Sequence, residues 1–215
     1  MIRLQTPKSV TSEMHSLAAE CGADTGPLFI QITPDPDAQV DECHWNTKRR
    51  IEREGGEAVY GWVIWLAPSM YLEAMFHCVW QDQNGVLHDL TPDGDGEAQR
   101  LFFRSTSQTY DGRTLPSRWL PLSNSEFVLD ACAMFKEASD LHCSYSHGQQ
   151  FPESVYAEIQ SLQSEGNENI QREVRRTTAE HQALQRLRNR ENTRREKQSL
   201  RRKKKAERKR KKHRK

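Results

Sequence analysis

Basic residues crowd into the last fifth of this chain so densely that they decide where a core can form. Between Arg172 and Lys215 there are 21 Lys and Arg against five Glu, a balance of +16; the 215-residue chain totals +2, so residues 1 to 171 carry −14. Apolar side chains follow the opposite distribution. Almost all of the Trp, Phe, Val, Leu and Ile lie between about Ile2 and Tyr156, and the closing RRKKKAERKRKKHRK has nothing to bury. The expected organisation is an acidic globular domain over residues 1–155, followed by a basic tail over 156–215 that is helical or disordered.

Within the domain, apolar periodicity and breaker residues mark the elements. VTSEMHSLAAECGA (10–23) reads as a helix, and LFIQITP (28–34) as a short strand stopped by proline. Asp41 is a suitable N-cap for a helix through CHWNTKRRIERE that ends at Gly55 and Gly56, which puts Cys43 in its first turn. EAVYGWVIWLAP (57–68) and YLEAMFHCVW (71–80) are rich in aromatic and β-branched residues and read as consecutive strands. The chain returns through QNG into VLHDLTP, LFFRS (101–105) suggests one more strand, and EFVLDACAMFKEAS (126–139) has helical spacing. Helices flanking a run of strands predict an α+β fold. The tail reads as helix broken once near Gly166.

The chemistry-bearing residues are Cys43, His77 and Asp89, in that order on a helix, a strand and the adjacent strand. A thiol at a helix N-terminus sits where the backbone N–H groups and macrodipole favour thiolate, and an imidazole beside it adds to that effect. The runs GGEAVYGW, FHCVW with DQNG, and HDLTP resemble the transglutaminase-like branch of the papain-type cysteine enzymes. More closely, they are similar to bacterial and phage proteins with a C-x-x-N helix, a GG-x-x-x-x-GW strand and an FHxVW segment. The resemblance covers about residues 28 to 104. It implies a papain or transglutaminase-like domain, with an N-terminal helix packed on an antiparallel sheet. It also implies Cys43 as nucleophile, His77 as acid/base, Asp89 as the group orienting His77, and a protein or peptide amide as substrate. The sequence departs from the pattern in two places: Trp80 follows His77 by three residues rather than two, and Leu90 and Thr91 stand between Asp89 and Pro92.

Whether His77 and Asp89 can meet depends on the parity of the QNG turn. A two-residue turn at Asn84 and Gly85 pairs Trp80 with Asp89 and puts Asp89 on the face opposite His77. A three-residue loop, with Gly85 left-handed in a G1 bulge, pairs Asp82 with Val86 and Val79 with Asp89, so the two share a face. The triad therefore requires the odd loop. Cys78 and His88 then fall on the other face with Trp80, as packing residues.

Other residues admit more than one reading. Asn46, one turn from Cys43, either faces a cleft or caps a neighbour, and Trp45 is a cleft-wall or core residue. Cys132, His142, Cys143 and His147 have metal-ligand chemistry, but Cys132 lacks a close partner for the paired spacing of structural zinc sites, so neither metal nor cofactor is expected. Five irregularly spaced Cys without a signal segment suggest a reducing, cytoplasmic setting, and no stretch has the roughly 18 to 20 apolar residues of a membrane span. In the tail, Arg201, Arg202, Lys203, Lys204, Lys205, Arg208, Lys209, Arg210, Lys211 and Lys212 form a polyanion-binding run for nucleic acid or the ribosome, and a nuclear localisation signal if the host is eukaryotic. Two function classes stay open: a thiol-dependent amide hydrolase or acyl transferase tethered by its tail, or a non-enzymatic nucleic-acid-associated protein that keeps the fold.

Overall fold

A computed structural model describes residues 3–94, 96–145 and 150–212, with side chains as far as residue 197 apart from Arg194. The chain forms two compact units, Met1–Gln171 and Arg172–Lys215. The first contains α1 (Ser12–Glu20), β1 (Leu28–Ile32), α2 (Cys43–Glu54), β2 (Glu57–Ala67), β3 (Tyr71–Gln81), β4 (Leu87–Asp89), β5 (Gln99–Arg104), β6 (Arg118–Pro121) and α3 (Glu126–Cys143). A last helix, α4 (Glu153–Lys212), starts in the first unit and supplies the second. The fold is mixed α+β, with a helix packed on a sheet.

The sheet order is β2-β5-β1-β4-β3-β6, and β2 also pairs with β3 along its whole length, so five strands close into a circuit. This differs from the expected purely antiparallel sheet: β1 and β4 run parallel, with Ile32 opposite Asp89. The parallel pair arises because the β3–β4 hairpin inserts β4 between β3 and β1. Period-two alternation sorts side chains onto the two faces of the circuit. Ile30, Val59, Val63, Val79 and Phe102 form one buried cluster, with Leu87 and Met75 against it. On the other face Trp62, Ile64, Leu72, Ala74, Phe76, Leu101 and Phe103 pack under Met14, Leu17 and Ala18 of α1. Strand β6, only four residues, was too short to be legible as alternation; it pairs with Tyr71–Ala74 of β3.

Helix α2 is held by polar contacts, since Asn46 and Thr47 are its buried residues. Trp80 Nε1 donates to Gly55 O at 2.9 Å, Gln83 Nε2 donates to Glu54 O at 3.1 Å, and Arg50 pairs with Asp35 while its guanidinium lies 4.9 Å from the Trp80 ring centroid. Trp80 thus faces away from His77 because it anchors the end of α2.

The first unit reaches beyond the expected boundary at residue 155, because Ile159, Asn169 and Ile170 of α4 are buried. Nor does α4 break near Gly166. A Cβ at that position would lie 2.5 Å from Phe135 Cε1, so the glycine allows α3 and α4 to approach closely rather than ending the helix. The Phe135 ring is itself held between Tyr71 and Trp119, at centroid distances of 5.8 and 6.2 Å. Gly166→Ala is therefore expected to destabilise the protein in urea unfolding, although alanine is intrinsically the better helix former by about 1 kcal/mol. In a Phe135→Ala background, where the steric conflict is gone, the same substitution should become stabilising; equal effects in both backgrounds would refute the account.

Candidate active site

The β3–β4 turn has odd parity. Trp80 pairs with His88 and Gln81 with Leu87, Asp82 N donates to Val86 O at 3.0 Å, and Gln83, Asn84 and Gly85 form the loop with Gly85 at φ 83°. Asp82 Oδ1 accepts from the N–H groups of Asn84 and Val86, both at 2.9 Å, which fixes the bulge. His77 and Asp89 consequently point to the same face, where His77 Nε2 lies 3.0 Å from Asp89 Oδ1. Both are inside: His77 is 3% exposed and Asp89 0%.

Cys43 reaches this pair from α2. Glu42, rather than the expected Asp41, is the N-cap; its side chain makes no capping bond, and Asp41 takes a left-handed φ of 62°. The helix start docks at a gap in β3. On that edge β6 pairs with Tyr71–Ala74 and β4 with Trp80–Gln81, so the intervening stretch lacks a strand partner. The Cys78 N–H has the same parity as the Asp82 N–H, which reaches across to β4, so it points into the gap and hydrogen-bonds the Cys43 sulfur. His77 also hydrogen-bonds Cys43, and since Nε2 faces Asp89, Nδ1 is the nitrogen left for the thiol.

The electrostatics follow from these contacts. Burial works against ionisation of Cys43, yet the positive His77, its hydrogen bond and the Cys78 N–H together hold the thiol below its ordinary value. For His77 burial again opposes the charged form, and the negative Asp89 and Cys43 outweigh it, raising the imidazole. Asp89 is held below the usual carboxylate range against burial by His77 and Arg100. All three directions favour a thiolate, an imidazolium and a carboxylate. The other cysteines differ: burial pushes Cys21, Cys78 and Cys132 up to about 12, and raises Cys143.

Arg100 of β5 is a member of the cluster that the sequence reading missed. Its Nε is 3.1 Å from Asp89 Oδ2, its Nη2 is 3.5 Å from Asp93 Oδ1, and its guanidinium lies 5.2 Å from the Trp65 ring centroid. The available signal was an arginine immediately before LFFRS, on the same strand face as Phe102.

Cys43 borders two cavities. One, about 90 Å³, is walled by the aromatic rings of His44, Trp45, Tyr60, Phe76 and Tyr110, where His44 Nδ1 and Tyr60 Oη are 2.9 Å apart. The other, about 280 Å³, is bordered by His77, Thr91 and Arg100. Trp45, 40% exposed, thus stands at the cleft. Asn46 does not: its amide accepts from Gln39 N at 3.0 Å and donates to Gln39 O at 2.7 Å, clamping the loop before α2. His88 lies 3.5 Å from Asp82 and against the Trp80 ring, away from Cys43. Among the described residues no group of three or more His, Cys, Asp and Glu is arranged to hold a metal, and His147 lies outside them. The side chains of Arg201 to Lys212 are likewise outside the described ones, although the backbone there is helical. No described helix is long and apolar enough to cross a membrane. No protein-family model, characterised protein or solved structure matches the chain.

Removing Arg100 leaves Asp89 buried with less compensation. Arg100→Met is expected to cost about 3–5 kcal/mol in urea unfolding at pH 7, and Asp89→Asn in the same chain to recover part of it. His77 should stay protonated through neutral pH, and in Asp89→Asn its imidazole NMR titration should move down by about one to two pH units. A His77 midpoint indifferent to that substitution would contradict the assignment.

Proposed function

We propose that the acidic unit is a thiol-dependent amide hydrolase or acyl transferase of the papain or transglutaminase-like kind, with Cys43 as nucleophile, His77 as acid/base and Asp89 as the group that orients and charges His77. The observation that carries this reading is the single chain of contacts from Cys43 through His77 to Asp89, with 3.0 Å between the last two. The thiolate attacks the carbonyl carbon of an amide, and the electron pair moves to oxygen. The tetrahedral adduct collapses as His77 Nδ1 gives its proton to the leaving nitrogen, breaking the C–N bond and leaving an acyl thioester on Cys43. Neutral His77 then takes a proton from water or an amine as it attacks the thioester, and the thiolate departs. A thiolate nucleophile suits a reducing compartment, which agrees with a cytoplasmic setting.

The five cysteines provide an internal test. Iodoacetamide at pH 7, followed by peptide mass spectrometry, is expected to modify Cys43 at least about tenfold faster than Cys21, Cys78, Cys132 or Cys143. If Cys43 reacts no faster than the others, it is not the nucleophile.

For the tail we propose a polyanion contact, with nucleic acid or the ribosome as partner; the charge density of Arg172–Lys215 supports this reading. It also favours a second one, in which the protein acts by binding alone. On duplex DNA the log affinity should fall against log salt with a slope of about −0.9 per phosphate contacted, and deletion of residues 172 to 215 should abolish binding. Salt-insensitive binding would exclude both versions. If Cys43→Ala leaves the cellular effect intact, the binding-only version is the correct one.

A further inference from the structure

The cavity of about 280 Å³ beside Cys43 adjoins a larger one of about 640 Å³, and Asp41, Met75, Ser117, Ser139 and His142 line both. The larger cavity contains a carboxylate that the acyl-transfer chemistry does not use. Glu73 lies on β3 four residues before His77, so the two side chains leave the strand on the same face, about 13 Å apart along it. Its polar partner is the Ser117 hydroxyl. Among the described residues no cation pairs with Glu73 or with Asp41, which lines this cavity and both of those that Cys43 borders. Burial pushes the Glu73 carboxyl up to about 7, the behaviour of an acid that lacks a positive neighbour. At the Cys43 end Thr91 is 4% exposed, its hydroxyl has no hydrogen-bond partner, and it borders the same space.

We propose that these adjoining cavities take an acyl substrate with an extended cationic arm, as in a lysine or arginine residue, the ammonium or guanidinium reaching Glu73 while the reacting carbonyl sits at Cys43 and a backbone polar group meets Thr91. The arm's five or six heavy atoms, the glutamate side chain and the hydrogen bond between them have to cover the spacing of about 13 Å between the two strand positions. Neutral arms of the same length leave the half-buried Glu73 with only the Ser117 hydroxyl and no counter-charge, which disfavours them. Arg100 does not compete with that cation for Glu73, because Asp89 and Asp93 engage it.

This inference rests on the acyl-transfer reading, and the experiment separates the two. Nα-acetyl-lysine methylamide and its uncharged isostere Nα-acetyl-2-aminoheptanoic acid methylamide are titrated into the full-length protein while iodoacetamide alkylation of Cys43 is followed. The lysine compound is expected to protect Cys43 at about tenfold lower concentration; Glu73→Gln should erase that preference and Glu73→Asp retain part of it. Rapid alkylation with equal protection by both compounds, or a preference that survives in Glu73→Gln, overturns the substrate class and leaves the nucleophile standing. If Cys43 proves unreactive, the acyl-transfer reading fails, and calorimetric titration with the same compounds decides the cation site alone. Lysine-selective binding lost in Glu73→Gln supports it, and the absence of selectivity overturns it.

Discussion

A fully buried carboxylate is the constraint around which the acidic unit is arranged. Asp89 is 0% exposed, and an isolated carboxylate in such a place would be expected to protonate rather than stay charged. Three elements prevent this: β3 supplies His77 to one oxygen, β5 supplies Arg100 to the other, and the chain beyond β4 returns the Thr91 N–H at 2.8 Å. Each of those elements is also a member of the closed sheet or directly continuous with it. The closure of β2-β5-β1-β4-β3 therefore does more than bury Val63 and Phe102, since it brings Arg100 and His77 to opposite sides of one carboxylate. A flat sheet in the same strand order would not converge on Asp89 in this way.

The converse dependence is equally physical. Cys43 is held at the edge of β3 only where that strand has no neighbour, between the stretches taken by β6 and β4. A longer β4 or β6 would fill the gap and occupy the Cys78 N–H in a ladder bond. The short β4 is thus part of the site, and it is short because Leu90 turns inward and the following Thr91 and Pro92 leave the strand. Helix α2, with little apolar surface to press into the core, is located instead by Trp80 and Gln83 at one end and the Asn46 clamp at the other.

Much of this geometry was legible in local chemistry. Gly85 after Gln83 and Asn84 is what a three-residue bulged loop demands, and that parity places His77 and Asp89 together; the Gly55–Gly56 pair similarly fixes where α2 ends. What escaped was either too short or too distant in sequence. Strand β6 spans four residues, only two periods of alternation. Arg100 reads as the start of another strand, and its ion pair with Asp89 exists only after β1 has been inserted between β4 and β5. Gly166 reads as a helix break in sequence because the Phe135 ring that packs against it lies about thirty residues away in the chain. Asn46 admits a cleft or a capping role from sequence alone, and its amide is taken up by neighbours: it bonds both the N–H and the carbonyl of Gln39 and accepts from Arg49 Nη2 at 2.6 Å.

The charge distribution gives the cationic-substrate proposal a setting that the site alone does not. Residues 1 to 171 hold 25 Asp and Glu against 11 Lys and Arg, so the first unit attracts cations and repels polyanions. Nucleic acid contact through that unit is correspondingly unfavourable. A basic polypeptide, by contrast, is drawn to the first unit and meets Asp41 at the mouth of the cavities before its arm reaches Glu73. Screening at physiological ionic strength limits this long-range attraction to about 8 Å, so it governs encounter at the cleft rather than approach from solution. Selectivity would then depend on the inner end, where Glu73 is half-buried and less screened than the surface carboxylates, and where a missing ammonium has no substitute.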